Sequence, residues 1–216
     1  MKGLFLKDFY TLWKNGRIFF VVFVVISAIS GTGNWSYMGF WLMLMGMQTV
    51  NTFSYDNYCN WNLFALTMPI TRKDVVRSKF LLQLFLTFGS ALAFLLVSLV
   101  SSLVLRTFHA ENLLEMALTA WSIAWVILLM GNVSNLLLFR FPPERARLIS
   151  ILVYLLPMCT GIGVGSVMTD DLPVAAAPQL IGFLYCAAVA APILSLIVSG
   201  LCYYFSCRIF QKKDLT

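Results

Sequence analysis

Five stretches of this chain contain no Asp, Glu, Lys or Arg: residues 18–55, 80–105, 116–139, 148–169 and 172–207. A soluble domain spreads about 25% charged residues along its length to meet water. Here only 11% are charged, and they are confined to the gaps between long apolar runs. A helix needs roughly 20 apolar residues to cross about 30 Å of hydrocarbon, and only helices or closed barrels satisfy their backbone there. The middle three stretches hold one span each. The first holds two, punctuated by Gly31, Gly33, Asn34 and Ser36. The last holds one, because no polar turn divides it and Pro192 stands alone near its middle.

The expected fold is therefore an all-α polytopic membrane protein with six transmembrane helices in a single domain covering 1–216. Its parts are an interfacial helix at 1–15 and spans at 17–35, 36–55, 79–105, 115–139, 148–168 and 184–206. A short helix at 60–69 joins spans two and three. A re-entrant outer segment at 174–183, with Pro178 inside it, precedes span six. Such a segment is tolerable only where protein covers its backbone. The composition agrees, with 60% apolar residues and a mean hydropathy of +0.86.

Orientation follows from the positive-inside rule. With six spans and both termini inside, 14 of the 15 basic residues are cytoplasmic, and only Arg106 falls outside. Five or seven spans would put Arg208, Lys212 and Lys213 on the wrong face. The net charge of +6 is thus a topology signal. It is not a nucleic-acid footprint, because the charges are divided among separate cytoplasmic pieces.

The segment 61–80, WNLFALTMPITRKDVVRSKF, is the longest one built to face water. Trp61, Phe64, Ala65 and Met68 recur at i, i+3, i+4 and i+7, one face of a short helix. Pro69 ends it. Thr71 then caps a new helix, and Asp74 three residues later completes a capping box. Arg72, Lys73, Arg77 and Lys79 crowd this corner and put it in the cytoplasm. A short surface helix leading through a corner into a spanning helix is a handle on which a partner can push.

Further polar and small residues mark the spans. At the N-terminus, Leu6, Phe9, Tyr10 and Trp13 share one helical face, with Lys7, Thr11 and Lys14 on another, the pattern of an interfacial helix. It reads either as an anchor or as part of a docking surface. In span two, Gln48, Asn51, Thr52 and Tyr55 form a polar stripe, and in span four Asn132, Ser134 and Asn135 recur near the same depth. They act as interhelical hydrogen-bonding glue or as the lining of a substrate path. In span five, Gly161 and Gly165 make a Gly-x-x-x-Gly pair that lets helices approach closely. Beyond Arg17, Lys79 and Glu115 at their first positions, the spans carry no charge, which counts against a proton relay or ion carrier.

The run MPITRKDVVRSKF at 68–80 resembles the Pro-Ile-Ser/Thr-Arg-Lys motif of permease subunits of bacterial type-2 ABC transporters. The opening MKGLFLKDFYTLWK, the six-span layout and the closing RIFQKKDL agree with it. The resemblance implies a broken hairpin before the last helix, and spans two and five near a subunit interface around the transport route. It also implies a second permease copy, identical or related, and two separate ATPase subunits that bind ATP and Mg. Trp61, Phe64, Met68, Pro69, Arg72 and Lys73 would then couple those ATPases to the membrane helices.

The chain has no P-loop Gly-Lys-Ser/Thr and, beyond Glu115 at a first position, no His, Asp or Glu inside a span, so it is expected neither to hold nucleotide itself nor to be an enzyme. No metal site or bound cofactor is expected. His109 has no neighbouring ligands, and the five cysteines lack zinc or redox spacing. The expected function is the permease subunit of an ATP-driven exporter in a bacterial cytoplasmic membrane, moving a hydrophobic or amphipathic peptide or drug. A non-transporting scaffold or immunity subunit is the alternative. Its partners are the ATPases, the second permease copy and lipid, with no nucleic acid.

Overall fold

The computed structural model of the chain describes residues 2–15, 21, 22, 25, 36–59, 61–67, 71–104, 110–141, 145, 146, 148–156 and 177–212. Among them every regular element is a helix: α1 (Lys2–Asn15), α2 (Ser36–Tyr58), α3 (Trp61–Thr67), α4 (Arg72–Val104), α5 (Ala110–Arg140) and α6 (Ala177–Lys212). Residues 148–156 are helical as well. Segments of α4, α5 and α6 are long and apolar enough to cross a membrane. The expected second span lies within α2. Most of the first and fifth spans, with Gly161 and Gly165, lies outside the described residues.

The expected break between a re-entrant segment at 174–183 and a span at 184–206 is not drawn. One helix of 36 residues runs from Ala177 to Lys212 and carries residues 177–183 together with the expected span, while 174–176 lie outside the described residues. The local reason is the position of Pro178. It sits in the first turn, where the missing N–H has no intrahelical partner to lose, so it starts this helix instead of interrupting it.

The start of α4 has the expected chemistry. The Thr71 backbone N–H and hydroxyl donate to Asp74 Oδ2 at 3.2 and 2.7 Å, and the Asp74 N–H donates back to Thr71 Oγ1 at 3.3 Å. This capping box satisfies donors that the first turn of a helix leaves without intrahelical partners. At 33 residues α4 is about 50 Å long. Its first turns therefore stand clear of a 30 Å hydrocarbon layer.

The bundle buries two apolar clusters. One gathers Trp41, Leu42 and Met43 of α2, Ala91 and Phe94 of α4, Ala120, Ala124 and Ile127 of α5, and Tyr154. The other, nearer the basic end, gathers Val50 and Phe53 of α2, Val75 and Val76 of α4, Leu138 and Phe139 of α5, Ala146, and Phe210 of α6. Passing from the first cluster to the second, the numbering rises along α2 and α5 and falls along α4. So α4 runs against the other two.

Between the clusters lies a buried polar layer: Gln48, Thr49 and Thr52 of α2, Gln83 and Thr87 of α4, and Asn132, Ser134 and Asn135 of α5. The chain thus places polar side chains at matching depth on three packed helices. In lipid such groups seek one another, which fixes helix rotation where uniformly apolar surfaces do not.

Candidate functional site

The corner between α2 and α4 is built on α3. This helix is two turns long and packs on the end of α2. Phe64 projects from it, 53% exposed, and Trp61 packs against Phe64 with ring centroids 5.5 Å apart. Ala65, next in sequence, is buried. An exposed aromatic on a short helix beside basic residues has the shape of a knob for a partner's socket. Met68 and Pro69 lie outside the described residues.

Arg72 is committed elsewhere. Its Nη1 donates to the carbonyl oxygens of Phe210 and Gln211 at 3.2 and 2.8 Å. Those carbonyls belong to the last turn of α6, where acceptors lack intrahelical donors and a cation is favoured by the helix dipole. Arg72 therefore ties the start of α4 to the end of α6. Lys73, beside it, is exposed.

Behind α3 stands a feature that the sequence did not disclose. Lys7 and Asp8 of α1, Asp56 of α2 and Lys79 of α4 form a closed ring of alternating charge. Lys7 Nζ lies 2.9 Å from Asp8 Oδ1 and 2.5 Å from Asp56 Oδ1. Lys79 Nζ lies 3.0 Å from Asp8 Oδ2 and 2.5 Å from Asp56 Oδ2. Each carboxylate reaches both ammonium groups, one oxygen to each. Lys79 also donates to Thr52 Oγ1 at 3.3 Å. The side chains of Asp8, Lys79 and Asp56 are 2%, 3% and 9% exposed.

The pairing of these charges was not legible in the sequence. Lys79 and Asp56 lie on neighbouring helices, α4 and α2. Packing against α1 closes water away from them, so they pair instead of pointing outward. Lys7, assigned by periodicity to the polar face of α1, turns inward and also lies over the Trp61 ring, 4.4 Å from its centroid. The ring is thereby joined to the first residue of α3.

The polar stripe of α2 divides. Asn51 Nδ2 donates to Gln48 Oε1 at 3.0 Å, Thr52 turns toward Lys79, and Tyr55 faces out, 41% exposed. Asn132 Nδ2 donates to Ser199 Oγ of α6 at 2.6 Å. Asn135 is fully buried, and neither polar atom of its side chain has a hydrogen-bond partner among the described residues.

Sequence reading missed the centre of this layer. Thr49 Oγ1 donates to Gln83 Oε1 at 2.5 Å, inside the bundle. Gln83 packs against Gly131 so closely that a Cβ there would collide with its amide. The Tyr154 hydroxyl stands beside Ser134 and Gln83 without closing a hydrogen bond to either. Gln83 Nε2, Ser134 Oγ, Ser150 Oγ and the Asn135 amide are likewise buried with no hydrogen-bond partner among the described residues. The available signal was the row Lys79, Gln83, Thr87 at i, i+4, i+8, three polar residues on one face of an otherwise apolar helix.

The profile of a family described as "ABC-2 family transporter protein" covers residues 3–211. No curated protein and no solved structure matches the chain.

Proposed function

The chain belongs to the ABC-2 transporter family, and from that membership we propose that it is the permease subunit of an ATP-driven exporter of hydrophobic or amphipathic cargo, such as a peptide or drug. Membership makes it a membrane component of an ABC transporter, associated with an ABC ATPase. The further particulars are the proposal. Two ATPase subunits, which bind the ATP and Mg, serve a pair of permease chains, either two copies of this one or one with a relative. The assembly sits in the bacterial cytoplasmic membrane with both termini inside.

The observation that carries this reading is the exposed Phe64 on α3, next to Trp61 and set between two membrane helices on the basic side of the bundle. Closure of the ATPases on nucleotide presses on this helix. Trp61, Phe64 and Met68 receive the push, while Pro69, Arg72 and Lys73 make the corner that carries it into α4.

The cargo route is proposed to run beside the polar layer. Gln48, Asn51, Thr52, Tyr55, Asn132 and Asn135 are its lining candidates, joined by Gln83 and Ser134. Unpartnered amides buried in a membrane protein are costly unless some state of the protein supplies a partner. A passing polar group is one such partner. The uncharged character of the layer suits amphipathic cargo better than ions. Gly161 and Gly165 are proposed to pack the fifth span closely against a neighbour.

Copurification tests the proposal. An affinity-tagged chain, extracted in mild detergent, should bring down a soluble ABC ATPase at one per permease copy. A membrane-impermeant maleimide should reach the exposed Cys59, beside α3, in inverted vesicles and not in intact cells. A chain that purifies alone, or a Cys59 labelled from outside, overturns it.

A further inference from the structure

The four-charge ring has no role in the account above, and its placement gives it one. It joins three segments far apart in sequence: α1, the end of α2 and the second turn of α4. It also reaches α3, through Lys7 over Trp61. Among the described residues, no other ion pair links these helices. We propose that this ring is the joint through which movement of α3 is delivered to α4, with Asp8 and Lys79 as the positioning residues, so that α1 is a strut and not only an anchor. The proposal rests on the reading that α3 receives the push of an ATPase.

The physical argument concerns stiffness. Charges removed from water interact far more strongly than exposed ones, and separating one pair leaves both members without hydration. The ring is closed and alternating, so opening any side weakens the field at all four members. It therefore resists distortion as a unit and moves as one. An apolar contact of the same size is non-directional and lets helices slide past one another. Thr52 extends the joint upward, accepting from Lys79 and donating to the Thr49 carbonyl oxygen at 2.8 Å. Thr49 in turn holds Gln83, one turn above Lys79. Displacement of the ring thus reaches the polar layer through consecutive hydrogen bonds. A further aromatic contact on this path, Phe53 with Lys79 Nζ 5.1 Å from its ring centroid, closes the remaining side of the ammonium.

The test uses the full chain assembled with its ATPase in liposomes, with the five native cysteines replaced by alanine. An environment-sensitive bimane label is placed at Thr67→Cys on α3 or, separately, at Leu96→Cys on the exposed face of α4. Each sample is read before and after addition of Mg-ATP with vanadate. With the ring intact, both labels should shift. In the paired variant Asp8→Asn with Lys79→Met, which removes one charge of each sign, the α3 label should still shift and the α4 label should lose its response. Trp61→Leu leaves all four charges paired and removes the Lys7 contact to α3 together with the ring contact to Phe64, and the α3 label reports whether the push is still received. This variant should give the same split, and it decides the question if the paired variant does not assemble.

An α4 label that responds fully in either assembled variant overturns the proposal, because a merely structural ring would leave transmission untouched. Failure of the underlying reading looks different. In that case the α3 label does not shift even with the ring intact, or no ATPase joins the chain.

Discussion

Lys79 of α4 and Asp8 of α1 meet at 3.0 Å with both side chains almost wholly removed from solvent, so the N-terminal helix is bound to the core of the bundle through a buried ion pair. Removing one partner of such a pair leaves an uncompensated buried charge, which costs about 3–5 kcal/mol. Lys79→Ala and Asp8→Ala should therefore each lower the thermal midpoint of the detergent-solubilised chain sharply. Asp8→Asn with Lys79→Met should fall well short of the sum of the two losses. Additive losses would show that the residues do not act as a pair.

Gly131 carries a second stability prediction. A Cβ there would meet the Gln83 side chain, standing 2.9 Å from its Cγ and closer still to its amide. Gln83 cannot yield without losing the hydrogen bond from Thr49, and it is fully buried. Gly131→Ala should thus destabilise by about 1–3 kcal/mol, the scale of overpacking. This opposes the roughly 1 kcal/mol that Ala gains over Gly in a helix. Adding Gln83→Ala should recover most of the loss, as read by thermal unfolding of single and double variants.

Phe64→Ala should leave insertion and fold intact, because the ring is more than half exposed. It should reduce the ATP turnover of the assembled complex or its response to cargo. Arg72→Ala should do more, since it also strips Phe210 and Gln211 of their guanidinium. Hydrogen exchange should then rise at the C-terminal turn of α6 in Arg72→Ala and remain unchanged there in Phe64→Ala. Full activity in both variants would show that the corner does not receive the push.

Thr71→Ala removes the capping hydroxyl while keeping Asp74. Amide exchange at Asp74 and Val75 should accelerate roughly five-fold, the scale of a lost N-cap. Exchange near Phe94, deep in the apolar cluster around Trp41, should not change. Equal acceleration along all of α4 would mean that the cap governs the whole helix instead of its first turn.

The charge-free blocks predicted membrane helices, and α4, α5 and α6 follow them. The capping signature at Thr71 and Asp74 was local, so it was legible, and so was the short helix ended at Thr67 ahead of Pro69. Asn132 and Asn135 could be singled out as polar residues in an apolar run. Their different fates could not, one bonded to Ser199 and the other buried without a partner. The reason is rotational: when a span is apolar nearly all round, its sequence does not say which side faces which neighbour.

What the sequence by itself determined was the solvent of each segment, because transfer free energy is summed residue by residue and needs no knowledge of neighbours. It also determined helix starts and stops, which depend on contacts three or four residues apart. Only the tertiary structure decided that Lys7, Asp8, Asp56 and Lys79 form one ring and that Gln83 lies against Gly131. The contacts between helices among them join residues 23 or more positions apart, and they arise from helix rotation and register, which are set when the helices pack together.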